Sequence, residues 1–291
     1  MDRFIALVFS GLALGAIYTL VSLGILIIYK ATGIVSVAQF GLVALAGYVC
    51  FWSVSDVGLP LVLSYLLAVA ALAVAGLALE RVAYAPLRKR SPDVVLLSTL
   101  AGGFAIQGLI LLWYGPDARR LPSPFGYGST EVFGAVISHH ALFSVVTTGV
   151  AVAALALLFG RTQFGRQVRA LAADRNAALL QGIAVNRLSM ITFALASAMA
   201  GLAGVLLAPF SALTPDIGFT PMLFAFGAAI IGGFGRLSGV VAGALTLGLV
   251  EQLGGGYISG NMRAAFPFIA ILLVIALRPE GLLGGATRAR L

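Results

Sequence analysis

Few residues in this chain could do chemistry. Of 291 residues, 60% are hydrophobic and only 10% are charged. Asp56, Glu80, Asp93 and Asp216 stand at the ends of apolar runs, and Glu251 alone lies inside one. An ionisable group at bilayer depth is expensive and marks ion paths or paired functional sites. Two readings of Glu251 are open: proton coupling, or hydrogen bonding at a helix end, since glycines begin at Gly254. His139 and His140 are adjacent, so their side chains diverge and make a poor metal pair; they are expected in a solvated loop. The lysines are Lys30, after Tyr29, and Lys89, after Arg88. A phosphate-binding P-loop requires Gly before its Lys, so the chain has no nucleotide site of that kind. No serine sits in G-x-S-x-G, and H-E-x-x-H is absent. Cys50, the single cysteine, excludes an internal disulfide and reads as a small buried hydrophobe. No cofactor, metal or catalytic residue is expected in this chain.

Two glycine groups could do something other than pack. Gly33-Ile34-Val35-Ser36-Val37-Ala38-Gln39-Phe40-Gly41 places helix-weakening residues around Ser36 and Gln39 within an apolar run, and Gly232-Gly233-Phe234-Gly235 does so near the other end. Irregular backbone at membrane depth survives only where protein buries it or a wet cavity receives it. Paired helix interruptions in the two halves of a transporter point to its translocation path. The alternative is a pair of kinks with no ligand. Other glycines read as packing seams: Gly11 with Gly15, Gly201 with Ala198 and Gly204, and Gly239 with Gly243, where small residues let helix backbones approach.

The elements that must hold these residues are membrane helices. A soluble domain carries about 25% charged residues, so this chain cannot cover itself with a polar surface. Each span needs about 20 apolar residues, and the sequence predicts an all-α, polytopic transmembrane helical bundle of about eight or nine spans with broken helices. It reads as a single permease domain over 1–291. Apolar runs cover about 4–29, 33–54, 59–79, 94–113, 141–159, 188–207, 221–253 (cut at Gly232–Gly235) and 264–277. The first is too long for a signal peptide, starts at Asp2-Arg3 rather than with a basic stretch, and is expected to stay as a span. Counting nine places the N-terminus outside and the C-terminus inside; eight holds if one short segment re-enters.

Net charge is +8, but the basic residues gather in two loops, 81–93 and 161–187. That is the positive-inside pattern of cytoplasmic segments rather than the basic face of a nucleic-acid reader. The stretch from Tyr114 to His140, near-neutral and rich in proline, fits the opposite side. Within 161–187, Gln167–Ile183 is alanine-rich and helical in propensity, with Gly182 as its C-terminal stop. Val168, Leu171 and Ala172 share a face, with Leu179 three turns on. Such a helix could dock in a groove of a soluble partner, or lie on lipid headgroups.

With these motifs the sequence resembles the membrane subunits of branched-chain amino-acid ABC importers, over nearly its whole length. Gly33–Tyr48 is similar to that family's second-helix segment, and Glu80-Arg81 with Ala85-Pro86-Leu87-Arg88 to its first basic loop. Arg169–Ile183 resembles its coupling segment. Gly232-Gly233-Phe234-Gly235, Gly239, Gly243, Gly248 and Glu251 match its glycine-rich run, and Arg278-Pro279-Glu280-Gly281-Leu282-Leu283-Gly284 its closing motif. Departures occur: Ser36 stands where the family usually has Asn, Phe40 where it has Gly, and Arg236 and Ser238 replace a small residue and a Pro.

The resemblance implies a permease in the bacterial inner membrane. It works with two cytosolic ATPases, a second homologous permease or another copy of itself, and an extracytoplasmic solute-binding protein. Ser36, Gln39, Phe40, Gly41, Gly232, Gly233 and Gly235 would line the path, and Arg169, Ala172, Asp174, Ala177 and Gly182 would couple to the ATPase. The solute would be a branched-chain amino acid, with urea, short amides and aromatic acids as alternatives within the family. The rival of another class is a self-contained ion-coupled carrier or a passive channel.

Overall fold

A computed structural model describes residues 2–278 except 89, 127 and 133. The closing motif beyond Arg278, the tail arginines Arg288 and Arg290, and Lys89 lie outside the described residues. The elements run α1 (Asp2–Thr32), α2 (Gln39–Ser55), α3 (Leu61–Leu79, continued by a π-helical turn at Glu80–Tyr84), α4 (Pro92–Tyr114), β1 (Ser129–Val132) and β2 (Ala135–Ser138). They continue with α5 (His139–Arg161), α6 (Gln163–Ala173), α7 (Arg175–Leu180), α8 (Val185–Leu207), α9 (Phe219–Gly232), α10 (Leu237–Tyr257) and α11 (Ala265–Leu277). Among the described residues, nine of the helices are apolar. Six of these, α1, α3 with its π-turn, α4, α5, α8 and α10, are long and apolar enough to cross a membrane; α2, α9 and α11 are shorter. The protein is an all-α polytopic bundle with one small hairpin.

That hairpin is the first difference from expectation. Residues 114–140 are expected only as a near-neutral, proline-rich stretch between spans, yet β1 and β2 pair antiparallel with Ser129 opposite Ser138 and Val132 opposite Ala135. Gly134, at φ +82°, closes the turn, a left-handed conformation that costs glycine little. The alternation that signals β2 spans only four residues, with Ala135 and Ile137 buried and Val136 and Ser138 exposed. The histidines were also misplaced: His139 and His140 open α5, and His140 is buried.

The chain forms two compact units. The first comprises residues 1–23, 123–150 and 223–291. In it Gly11 and Gly15 meet Leu249 and Leu245, and Gly248 meets Gly11 and Gly15, so α1 and α10 run antiparallel at close range. The Gly11–Gly15 seam read from the sequence is thus a helix contact, made possible because neither glycine has a Cβ to hold the backbones apart.

The second comprises residues 24–122 and 151–222. Here α2 packs among α3, α4 and α8. Gly76 meets Phe193 and Ser197, and Gly201 meets Leu72, so α3 and α8 are antiparallel. Gly204 against Val43 and Gly47 beside Ala208 set α2 parallel to α8. The helices therefore bring residues 30–38, 80–92 and 161–187 to one end of this unit and residues 55–60, 113–122 and 208–218 to the other.

Candidate functional site

The first glycine group lies in the second unit. At the end of α1 the Thr32 hydroxyl donates to Ile28 O (2.8 Å) and accepts from Ile34 N–H (3.2 Å). Gly33 turns the chain at φ +73°. Residues 34–37 are not helical, and Val37 N–H donates to Thr99 Oγ1 at 3.3 Å. The helix expected to begin near Gly33 starts only at Gln39.

Around that start the walls are bare backbone. A Cβ on Gly41 would stand 2.5 Å from the Gly103 carbonyl oxygen; one on Gly24 would stand 2.9 Å from Gln39 Nε2 and 3.0 Å from Ala196 O. Phe40 is buried, with edge-on contacts to Phe104 (5.0 Å between centroids) and Phe219 (5.9 Å). Gln39 is fully buried, and neither its amide nitrogen nor its amide oxygen has a hydrogen-bond partner. Ser36 Oγ is buried in the same state. A buried polar group without a partner costs about 1–3 kcal/mol, and few are tolerated without a reason. Water or a polar solute arriving here would supply the missing partners.

Glu251, in the first unit, is the opposite case. It is 7% exposed, accepts the Tyr18 hydroxyl at Oε2 (2.5 Å) and pairs with Arg263 Nε at Oε1 (3.0 Å). Both oxygens are occupied. The carboxylate ties α10 to α1 and to the segment that precedes α11. Gly232 to Gly235 lie in the same unit. Here α9 ends, Gly233 turns at φ +77° and α10 begins at Leu237. Gly232 packs on Gly239, and a Cβ on Gly243 would stand 2.5 Å from Ala228 O, while a side chain at Gly235 would meet open space. The expected break is present, and two of its glycines serve a tight helix–helix turn.

The coupling segment belongs to the second unit, and it is not one helix. Thr162 caps α6, accepting from Gly165 N–H at 3.3 Å. Asp174 then takes extended backbone (φ −154°) and ends it. The Asp174 carboxylate accepts Ala177 N–H at 3.0 Å, so it opens α7 as an N-terminal cap. Gly182, at φ +78°, closes α7, with Gly182 N–H donating to Leu179 O and Ile183 N–H to Ala178 O. The break corrects the single-face expectation: Val168 and Leu171 are buried, whereas Ala172 is exposed and Leu179 and Leu180 point outward. Arg169 donates to the carbonyl of Phe159, where the last turn of α5 carries negative partial charge. Ala172, Asp174 and Ala177 remain exposed. Arg88 donates to Asn186 Oδ1, so the two basic loops meet at one end of this unit.

Several neighbours were not singled out from sequence. Gly24, Thr99 and Gly103 frame Ser36–Gly41, and the Gly102-Gly103 pair in an apolar run was the available signal. Tyr18 and Arg263 complete the Glu251 cluster; nothing in one sequence joins positions 233 residues apart.

Comparison with known proteins bears on the whole chain. Residues 7–277 match the family model described as the permease component of the branched-chain amino acid transport system. The high-affinity branched-chain amino acid transport system permease protein LivH of Escherichia coli K12 is 32% identical, covering 97% of this chain and 96% of its own. BraD of Pseudomonas aeruginosa, which carries the same description, is 29% identical over 94% of each. Among solved structures, PsaBC from Streptococcus pneumoniae in complex with Fab overlays 96% of this chain and 91% of its own at 12% identity and a TM-score of 0.46. With a family model spanning almost every described residue, the chain belongs to the permease-component family of branched-chain amino acid transport systems.

Proposed function

We propose that this chain is a membrane subunit of an ATP-driven ABC importer in the bacterial inner membrane, moving a branched-chain amino acid inward. The observation that carries this reading is similarity over almost the whole chain to permeases named for that substrate. In this reading the chain is one permease domain, as the family match over residues 7–277 supports. Nine crossings fit if α2, α9 and α11 all enter the bilayer. At 1.5 Å per residue, α9 and α11 are about 20 Å long, short of the roughly 30 Å hydrocarbon core, and suit half-helices that meet the irregular segments beside them.

Ser36, Gln39, Phe40 and Gly41 line the path in this reading, with Gly232, Gly233 and Gly235 at the second break. Gln39 offers a buried amide able both to donate to a carboxylate and to accept from an ammonium group. Loops 81–93 and 161–187 face the cytosol. There Arg169, Ala172, Asp174, Ala177 and Gly182 shape the α6–α7 element against one of two ATPase subunits, and Leu180 offers an exposed apolar tip. A second permease, homologous or identical, and an extracytoplasmic binding protein complete the importer.

Reconstitution tests it. Proteoliposomes holding the full set of subunits should accumulate leucine only with ATP and binding protein, while vesicles holding this chain alone stay impermeable. Leucine flux through the chain alone would replace this reading with a self-contained carrier or channel.

A further inference from the structure

We propose that the groove between α2 and α4 is a phospholipid site, with an acyl chain lying in the groove and the headgroup phosphate held by Arg119. The groove has a volume of about 510 Å³ and is lined by apolar and aromatic side chains, among them Leu45, Val49, Ile106 and Leu109. It is walled towards the C-terminal ends of both helices by Trp52, Trp113, Tyr48 and Tyr114. Trp52 and Trp113 are exposed and are the chain's two tryptophans. Exposed tryptophans near the end of a spanning helix sit at the headgroup level of a bilayer. The groove therefore starts at that level and runs inward along hydrocarbon, from residue 52 to 45 on α2 and from 114 to 106 on α4, over about 12 Å.

A cation waits at its mouth. The Arg119 guanidinium lies 5.2 Å from the Phe51 ring centre and 5.6 Å from that of Tyr114, and Tyr114 packs against Tyr48 at 5.0 Å with the rings tilted by 43°. Backbone hydrogen bonds between Arg119 and Leu213 in both directions (3.0 and 2.8 Å) fix its position. One terminal nitrogen reaches Tyr114 O at 3.3 Å; Nε is buried without an acceptor, which leaves the terminal nitrogens as the donors for a headgroup. Among the described residues no carboxylate comes within ion-pair distance of it. A guanidinium in this setting is suited to a phosphate, whose paired oxygens match its fork of donors. The Arg119–Leu213 bridge brings Asp216, three residues on, to the same end, and Asp56 caps α2 one turn beyond Trp52. They favour a headgroup that also carries an amine, so phosphatidylethanolamine is the occupant assigned.

The two tryptophans make the test direct. The Trp113→Phe chain in detergent leaves Trp52 as the sole tryptophan, whose selectively excited emission is titrated with phosphatidylethanolamine brominated in its acyl chains. Quenching should saturate at low lipid mole fraction and be reversed by unbrominated phosphatidylethanolamine. Adding Arg119→Gln should raise the half-saturation point about tenfold, the loss expected for one charge-assisted hydrogen bond, and Arg119→Lys should recover part of it. Val49→Phe, which fills the groove without touching Arg119, should remove the saturable phase while circular dichroism stays helical. Quenching that follows bulk bromolipid content equally in all variants overturns the site. So does a saturable phase indifferent to Arg119→Gln, or one displaced by free leucine and not by lipid.

Discussion

Gln39 and Glu251 are both polar, both buried and both set among glycines on apolar helices, yet their surroundings differ. Every oxygen of Glu251 is engaged, by Tyr18 and Arg263; no polar atom of the Gln39 side chain is. Burial of a polar group is tolerated when the protein itself completes the hydrogen bonds, and such a group then works as a strut. A buried amide left incomplete, beside bare backbone at Gly24 and Gly41, is a weak strut and a good receptor. Glu251 is completed by the protein's own groups, and Gln39 is the better candidate for the path.

Removing Glu251 should have the largest effect. Glu251→Ala leaves the Tyr18 hydroxyl unpaired and a cation partly buried, the circumstance in which breaking a buried pair costs about 3–5 kcal/mol. Because Arg263 is 41% exposed and can turn to solvent, a loss of about 2–3 kcal/mol is expected, read by reversible denaturant unfolding in detergent micelles. Glu251→Gln keeps one carbonyl acceptor and turns the other oxygen into an NH2 donor, whose hydrogen the Tyr18 oxygen can accept once its hydroxyl rotates, and should lose about 1–2 kcal/mol. Uptake per folded molecule should hold in both variants. A collapse of uptake in Glu251→Gln with stability intact would restore the proton-coupling reading and reverse the comparison.

Gln39→Leu should show the converse. No hydrogen bond is lost and an unsatisfied amide is removed, so unfolding should shift by less than about 1 kcal/mol in either direction. ATP-driven leucine uptake in proteoliposomes should fall about tenfold, the effect of one solute hydrogen bond worth about 1.4 kcal/mol in a crossing step. Equal losses of stability and uptake would make Gln39 a second strut.

How far the sequence foretold this depends on the range of the interaction. Apolar runs are local sums, so the nine apolar helices formed near their expected places. Gly33 and Gly233 were legible because a helix break is local as well. Glu251 could not be resolved from sequence: its partners come from a helix near the N-terminus and a loop twelve residues away, and only folding joins them. The hairpin at 129–138 was missed because four-residue strands give too short an alternation to stand out from a loop. In α6–α7 the alanine-rich propensity was read correctly, but the competing cap at Asp174 was not. Aspartate stabilises a helix start as well as it weakens a helix interior, and periodicity alone does not distinguish the two.

Asp174 sharpens the comparison with a smaller effect, because its carboxylate is engaged like that of Glu251 but exposed. Asp174→Ala should cost about 1 kcal/mol of local helix stability. In the assembled importer, substrate-stimulated ATP hydrolysis should drop while membrane insertion is unchanged. Asp174→Asn keeps the cap acceptor and should retain most of the stimulation. If Asn proves as damaging as Ala, the charge itself contacts the partner, and the cap is incidental.

The smallest change probes the Gln39 region most finely. Ser36→Ala removes one hydroxyl that has no partner, so the fold loses no hydrogen bond, and unfolding should move by less than about 0.5 kcal/mol. The extended segment stays anchored through Val37 N–H on Thr99, which the substitution leaves alone. If Ser36 and Gln39 form one receptor, uptake in Ser36→Ala should fall about threefold, and the double variant with Gln39→Leu should lose less than the product of the single losses, because neighbours that share a ligand do not act independently. Multiplicative losses would mean that the two groups meet the solute at separate points along its path. No loss in Ser36→Ala would confine the receptor to Gln39, with Ser36 a buried hydroxyl that the bend at Gly33 happens to enclose.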